Sequence, residues 1–262
     1  CARGAQTFEG HVPDQLWSVK PTLIVYSSAI RMDNPEMAVA EKQNIPIVRR
    51  AVLLAALIKC RRGVCVAGMH GKTTTTALLA QALDALGASP GYAIGAIVPQ
   101  LGRQARMGDS EERFFVVETD ESDGTLREFH AEQAIVLNID EDHLDYYANF
   151  EAVCEEFIKF AKQTTGTIIY CADDPRLAEL YGSRDNAISY GFNLTVDYRV
   201  EIQPGNGFVV WKHETRLGEF HIRLLGEKNI SNAVAVVVFL HRNGFQADEI
   251  ARALITYRGA NR

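Results

Sequence analysis

Short apolar runs alternate with helical patterns along most of the chain, and these two periods divide it into elements. "TLIVYSS" (22–28) and "IPIV" (45–48) read as strands, and between them a helix is predicted over 34–44 with Pro35 in its first turn. A second helix is predicted over 50–60, followed by the strand "GVCVAG" (63–68) and a helix over 72–86 that Gly87 closes. "YAIGAIV" (92–98), "RFFVVET" (113–119), "QAIVLNI" (133–139) and "GTIIYCA" (166–172) supply four more strands. These runs are continuously apolar rather than alternating, which indicates strands buried on both faces and hence a mainly parallel sheet under helices. The texture changes near residue 196, where "VDYRVEIQ", "GFVVWKH" and "LGEFHIRLL" are separated by the turn signals "PGNG" and "ETR". That pattern predicts a small antiparallel meander. Two helices, over 227–243 and 247–257, complete the reading. The expected seam is "KCRR" (59–62), giving a small α/β piece over 1–60 and a larger α/β domain over 61–262.

Composition narrows the class without choosing a function. With 262 residues, 47% hydrophobic and 23% charged, the chain is that of an ordinary globular protein. No apolar run approaches the roughly 20 residues of a bilayer span. A formal charge of −6 disfavours a nucleic-acid partner. The five cysteines, Cys1, Cys60, Cys65, Cys154 and Cys171, form no CxxC pair, so free thiols in a reducing, cytoplasmic setting are expected. The chain opens at Cys1 without Met and closes on "YRGANR", and both ends are expected to be cuts.

The chemistry concentrates at "GMHGKTTTT" (68–76). A strand, a glycine turn and a helix start occur there in the order that makes a phosphate loop. The usual template places a glycine five residues before the Gly-Lys pair, but Gly68 precedes Gly71 by only three. Backbone N–H groups at the helix start favour an anion. Lys72 is expected to reach the terminal phosphates of a nucleotide, and the Thr73 hydroxyl to sit on Mg²⁺. The competing reading is a plain glycine turn before a core helix. Glu118 is the first polar residue after "FFVV", at the strand end where ligands gather in a parallel sheet, with Asp120, Glu121 and Asp123 next to it; a solvated acidic turn is the competing reading for all four. Following the next strand come Asn138, Asp140, Asp142, His143 and Asp145. For His143 the residues leave a metal or phosphate role open against a plain surface histidine.

Taken together, "GMHGKTTTT", "VETDESDGT", "LNIDEDHLDYY" and "GEKNISNA" resemble, in order and spacing, the Mur ligases of peptidoglycan synthesis. "YSSAIRMDNPEMAVAEKQNIPIVRRAVLLAALI" resembles that family's passage out of its first domain. The short Gly-x-x-Gly-Lys-Thr loop is the family's own spacing. The resemblance covers nearly the whole chain and implies a fold: the end of a Rossmann-like UDP-sugar-binding domain (1–60), then a central P-loop ATPase domain (61–262). An upstream UDP loop and a third domain, expected of the family, would lie outside this chain. The implied reaction is ATP-dependent joining of L-alanine to UDP-N-acetylmuramate through an acyl phosphate. ATP and Mg²⁺, or Mn²⁺ in its place, are the implied cofactors.

Position by position, the resemblance assigns catalytic roles to Lys72, Glu118 and His143, and metal ligation to Thr73, Glu118 and His143. Gly68, Met69, His70, Gly71, Lys72, Thr73 and Thr74 would cradle the nucleotide, and Asn229 and Asn232 would read adenine. Ser27, Ser28, Asp120, Glu121, Ser122 and Asp123 would face the muramoyl substrate. Lys228 stands where the family often has His. Lys159, the nearest match to a carbamoylated lysine of some members, is expected to be an ordinary surface lysine. Other ligases that share the central domain are the murein-recycling tripeptide ligase, folylpolyglutamate synthase and cyanophycin synthetase. A nucleotide-binding module inactive on its own is the remaining alternative. A kinase or GTPase would keep the longer loop, and a GTPase its Asn-Lys-x-Asp stretch; neither occurs.

Overall fold

The computed structural model describes residues 5–108, 110, 113–120, 124–141 and 147–260. The chain divides into two compact units, one up to Ala56 and one from Leu57 onward.

The first unit holds α1 (Pro13–Val19), β1 (Ile24–Tyr26), α2 (Pro35–Lys42), β2 (Ile47–Arg49) and most of α3 (Arg50–Lys59). β1 and β2 pair in parallel, Ile24 opposite Ile47, with α2 as the crossover. Asn34 starts α2 because its side chain accepts a hydrogen bond from the Glu36 amide, and Pro35 fits the first helical position. Both strands are shorter than their apolar runs.

The second unit is built on β3 (Arg62–Ala67), α4 (Lys72–Ala85), β4 (Gly91–Ala93), β5 (Ala105–Arg106), β6 (Phe114–Glu118) and β7 (Gln133–Val136). It continues with α5 (Phe150–Gln163), β8 (Ile168–Cys171), α6 (Pro175–Tyr181) and β9 (Ala187–Gly191). β10 (Tyr198–Gln203), β11 (Gly207–Lys212), β12 (Thr215–His221), α7 (Glu227–Arg242) and α8 (Ala247–Leu254) complete it. Among the described residues all ten strands form one sheet, in the order β12-β11-β10-β9-β8-β7-β3-β6-β4-β5. The seven strands from β10 to β4 are mutually parallel, and antiparallel pairs occur only at the two edges. The expected mainly parallel α/β fold with a meander is therefore present. The meander is not a separate layer, because β9 pairs in parallel with both β8 and β10 and fuses it to the main sheet.

The strand order positions the site. β3 lies between β6 and β7, so the chain leaving β3 crosses to β4 on one side and later returns to β7 on the other. Such a reversal opens a crevice at the carboxyl ends of the strands. Val64 and Val66 join α4 and α7 in one core, where Leu78, Leu83, Val234 and Phe239 are buried. Phe114 and Phe239 meet edge to face with centroids 5.3 Å apart, a favoured ring geometry.

The observed elements depart from the sequence reading in several places. Of "YAIGAIV" only Tyr92 and Ala93 are strand residues, because parallel pairing with β6 ends at Ala93 and beyond it the Ile94 amide bonds only toward β5, at the Gln104 carbonyl. The last helix stops at Leu254, short of the expected 257. α6 and β9 were not anticipated, although Asp174 before Pro175 is a helix-start signal: its carboxylate accepts from the amides of Arg176 and Leu177.

Among the described residues the cysteines Cys60, Cys65, Cys154 and Cys171 are all free. Burial pushes the Cys65 thiol far above its ordinary range, leaving almost no thiolate, whereas Cys60 is exposed. Iodoacetamide at pH 8 is expected to alkylate Cys60 in the native protein and Cys65 only after denaturation, read by peptide mass spectrometry. Native labelling of Cys65 would mean that β3 opens readily. No described helix is long and apolar enough to cross a membrane.

Candidate functional site

β3 ends at Ala67 and α4 begins at Lys72, so four residues, Gly68 to Gly71, make the turn. Gly71 has φ +87° and caps α4, a conformation that costs glycine little. A side chain there would also strike the Asn232 amide, since its Cβ would stand 2.7 Å from Oδ1. Gly68 is similarly tight against the Asn138 backbone, 3.0 Å from a notional Cβ. The turn is thus closed in by the ends of β7 and α7, with the first amides of a 14-residue helix behind it.

Lys72 follows the turn, and its ammonium donates back to the Gly68 carbonyl at 2.6 Å and lies 3.4 Å from that of Met69. Thr73 donates its hydroxyl to Oε2 of Glu118 at 2.7 Å. This contact depends on the strand order: β3 and β6 are neighbours in parallel register, Val66 opposite Glu118, which brings the residue ending β6 beside the start of α4. Thr119 extends the pairing by donating its amide to the Val66 carbonyl at 2.9 Å.

On the other side, β7 delivers Asn138. Its side-chain oxygen accepts from the His70 amide at 2.8 Å, and its side-chain nitrogen donates to the His70 carbonyl at 2.9 Å. One amide side chain thereby pins the middle of the turn. Replacing Asn138 with alanine is expected to lower stability by about 1–2 kcal/mol, two ordinary hydrogen bonds. Urea denaturation checks this, and an unchanged midpoint would show that the turn holds itself.

A cleft of about 250 Å³ opens beside the turn, lined by His70, Asn138, Asp140, Lys228, Ser231 and Asn232 among others. Asp174 also lines it; its carboxylate caps α6 and accepts from the Ile139 amide at 2.8 Å. Asn232 reaches this cleft and the turn. Asn229, one turn earlier on α7, donates instead to the Leu225 carbonyl at 2.7 Å, so the two asparagines do not converge.

Of the other residues singled out, Met69 is buried and Thr74 lies half-buried in the first turn of α4. Asp120 is exposed two residues past β6, and its carbonyl accepts from the Thr125 hydroxyl at 3.1 Å. In the first unit, Ser27 and Ser28 follow β1, where the Ser27 hydroxyl accepts from the Ala29 amide at 3.2 Å. His143, Glu121, Ser122 and Asp123 lie outside the described residues. Lys159 sits on α5 with its ammonium 3.1 Å from Glu156. Sequence reasoning gave no role to Asp174 or to the Asn138 amide. The Asp-Asp-Pro run marks the first as a helix cap, but nothing local marks the second.

Residues 66–240 match the Mur ligase middle domain, and residues 1–62 match the domain described as Mur ligase family, catalytic domain. The chain is 36% identical over 266 residues to the UDP-N-acetylmuramate–L-alanine ligase of Myxococcus xanthus, covering 99% of this chain but 56% of that relative. It thus spans little more than half the length of that curated relative. The solved UDP-N-acetylmuramate–alanine ligase of Thermotoga maritima superposes with TM-score 0.86 at 28% identity, over 100% of this chain and 60% of that one. A UDP-N-acetylmuramate:L-alanyl-γ-D-glutamyl-meso-diaminopimelate ligase from Neisseria meningitides reaches the same TM-score at 22% identity, over 97% and 84% of the two chains, a likeness of fold alone. The chain belongs to the Mur ligase family.

Proposed function

We propose that this chain carries the ATP-cleaving centre of a ligase of peptidoglycan precursor synthesis, one that joins L-alanine to UDP-N-acetylmuramate. The observation that carries the reading is the Thr73–Glu118 contact of 2.7 Å at the lip of a short glycine turn that opens a helix. The name shared by the Myxococcus and Thermotoga relatives supports alanine as the amino acid over the longer peptide of the recycling enzyme. In this reading residues 61–262 form the ATP-binding domain, and residues 1–60 close a UDP-sugar-binding domain that includes Ser27 and Ser28.

The chemistry follows from the charges. ATP and the muramoyl carboxylate are both anions, so bringing them together requires a positive field. The amides of the 68–71 turn, the α4 N-terminus and Lys72 supply it. A hydroxyl and a carboxylate at hydrogen-bond distance are an oxygen donor pair suited to Mg²⁺, which takes one or two protein oxygens and completes its shell with phosphate and water. Thr73 and Glu118 would hold it, and when bound it would neutralise charge on the transferring phosphoryl group. Among the described residues no cluster of three His, Cys, Asp or Glu could hold an ion by itself.

The carboxylate oxygen attacks the γ-phosphorus, the bond to the bridging oxygen breaks and ADP leaves. The alanine amine then attacks the acyl carbon, and the tetrahedral adduct expels phosphate. Positioning and charge neutralisation carry the first step, so no protein nucleophile is needed.

Calorimetric titration of the chain with a β,γ-imido ATP analogue and MgCl₂, followed by an ADP-release assay on the complete protein, tests this. Metal-dependent binding is expected, with steady-state ADP release only when UDP-N-acetylmuramate and L-alanine are both present. ADP release indifferent to either substrate would sink the reading.

A further inference from the structure

Past β4 the chain turns at Gly95, which is exposed. Its φ lies outside the left-handed region, so the backbone itself does not call for glycine. What calls for it is space. A Cβ on residue 95 would stand 2.1 Å from Oε1 of Glu118, 3.2 Å from its carboxyl carbon and 3.7 Å from Oε2. Non-bonded heavy atoms rest about 3.5–4.0 Å apart. Those three nearest atoms all belong to one carboxylate, whose other oxygen accepts the Thr73 hydroxyl. They sit at the free end of a rotatable side chain, so a methyl group would displace the carboxylate and leave the backbone in place.

We propose that Gly95 is a positioning residue for the metal–nucleotide site: its bare backbone is the seat on which the Glu118 carboxylate rests while it faces Thr73. The strand order makes this arrangement, since β4 pairs in parallel with β6 and sets the two strand ends side by side. The inference rests on the proposed role of Thr73 and Glu118 toward Mg²⁺.

A double-mutant cycle tests it. Gly95→Ala, Glu118→Asp and the double variant are titrated with the β,γ-imido ATP analogue, with MgCl₂ and with EDTA, and each is melted without metal. Gly95→Ala is expected to weaken Mg²⁺-dependent binding about 10-fold, to leave binding in EDTA unchanged, and to melt within about 3 °C of wild type. Aspartate withdraws the carboxylate from residue 95, so in the Glu118→Asp background the same substitution is expected to change binding less than about 2-fold. Equal effects in both backgrounds, unchanged Mg²⁺-dependent binding in Gly95→Ala, or a large loss of metal-free stability would each overturn the inference. Wild-type chain that binds no nucleotide with Mg²⁺ would instead sink the reading of the site, and the inference with it.

Discussion

Lys72→Ala is expected to lower ligation on the order of 10³-fold while the fold survives. The size of the effect follows from where charge develops. During transfer, negative charge spreads over the γ-phosphoryl oxygens in a site shielded from water, where a fixed cation acts far more strongly than in bulk. The ammonium rests on the Gly68 and Met69 carbonyls, so the side chain is held at the turn where the phosphates would lie. Losing those two contacts costs the fold about 1 kcal/mol, or roughly 3 °C in melting temperature for a unit of this size. Single-turnover ADP formation alongside a thermal melt reads both quantities. Near-normal turnover would mean that the turn does not serve ATP. A collapse of the melt would make Lys72 a structural residue.

Glu118→Gln is expected to cost about 10²-fold in turnover, by a different route. Glutamine keeps the shape of the side chain and its contact with Thr73 but removes the charge. With Mg²⁺ present, nucleotide binding is expected to weaken. In EDTA it is expected to hold or tighten, because an anion near the phosphates has been removed. That opposite response separates a metal-holding carboxylate from a merely structural one, which would lose binding equally under both conditions. Fluorescent-nucleotide titrations with and without metal decide between them.

Much of this site was legible in the chain because it is local. Strand, glycine turn and helix follow one another from 62 to 85, and Gly87 stops the helix with φ +74° as its position implied. Glu118 was legible because an apolar strand ends on it. The Asn138 pin on His70 was not, since it exists only because β7 pairs with β3, and strand order is not written in periodicity. The same holds for Gly95, whose meaning depends on β4 lying beside β6. β9 was missed for a related reason. "AISYG" is short and partly polar, and it becomes a strand by pairing on both sides with β8 and β10. Asn229 and Asn232 illustrate a further limit: helical spacing brought both to the start of α7, but only the structure separates the one facing Gly71 from the one bonded to Leu225.

The acyl phosphate is the centre of the proposed chemistry, and oxygen transfer reports on it directly. UDP-N-acetylmuramate labelled with ¹⁸O in its carboxylate is incubated with ATP, L-alanine and the complete protein, and the released phosphate is analysed by mass spectrometry. If the carboxylate attacks the γ-phosphorus, each phosphate leaves with one labelled oxygen from the acid. Phosphate free of label, with ADP still formed, would mean that water takes the phosphoryl group, and the ligase reading would fail.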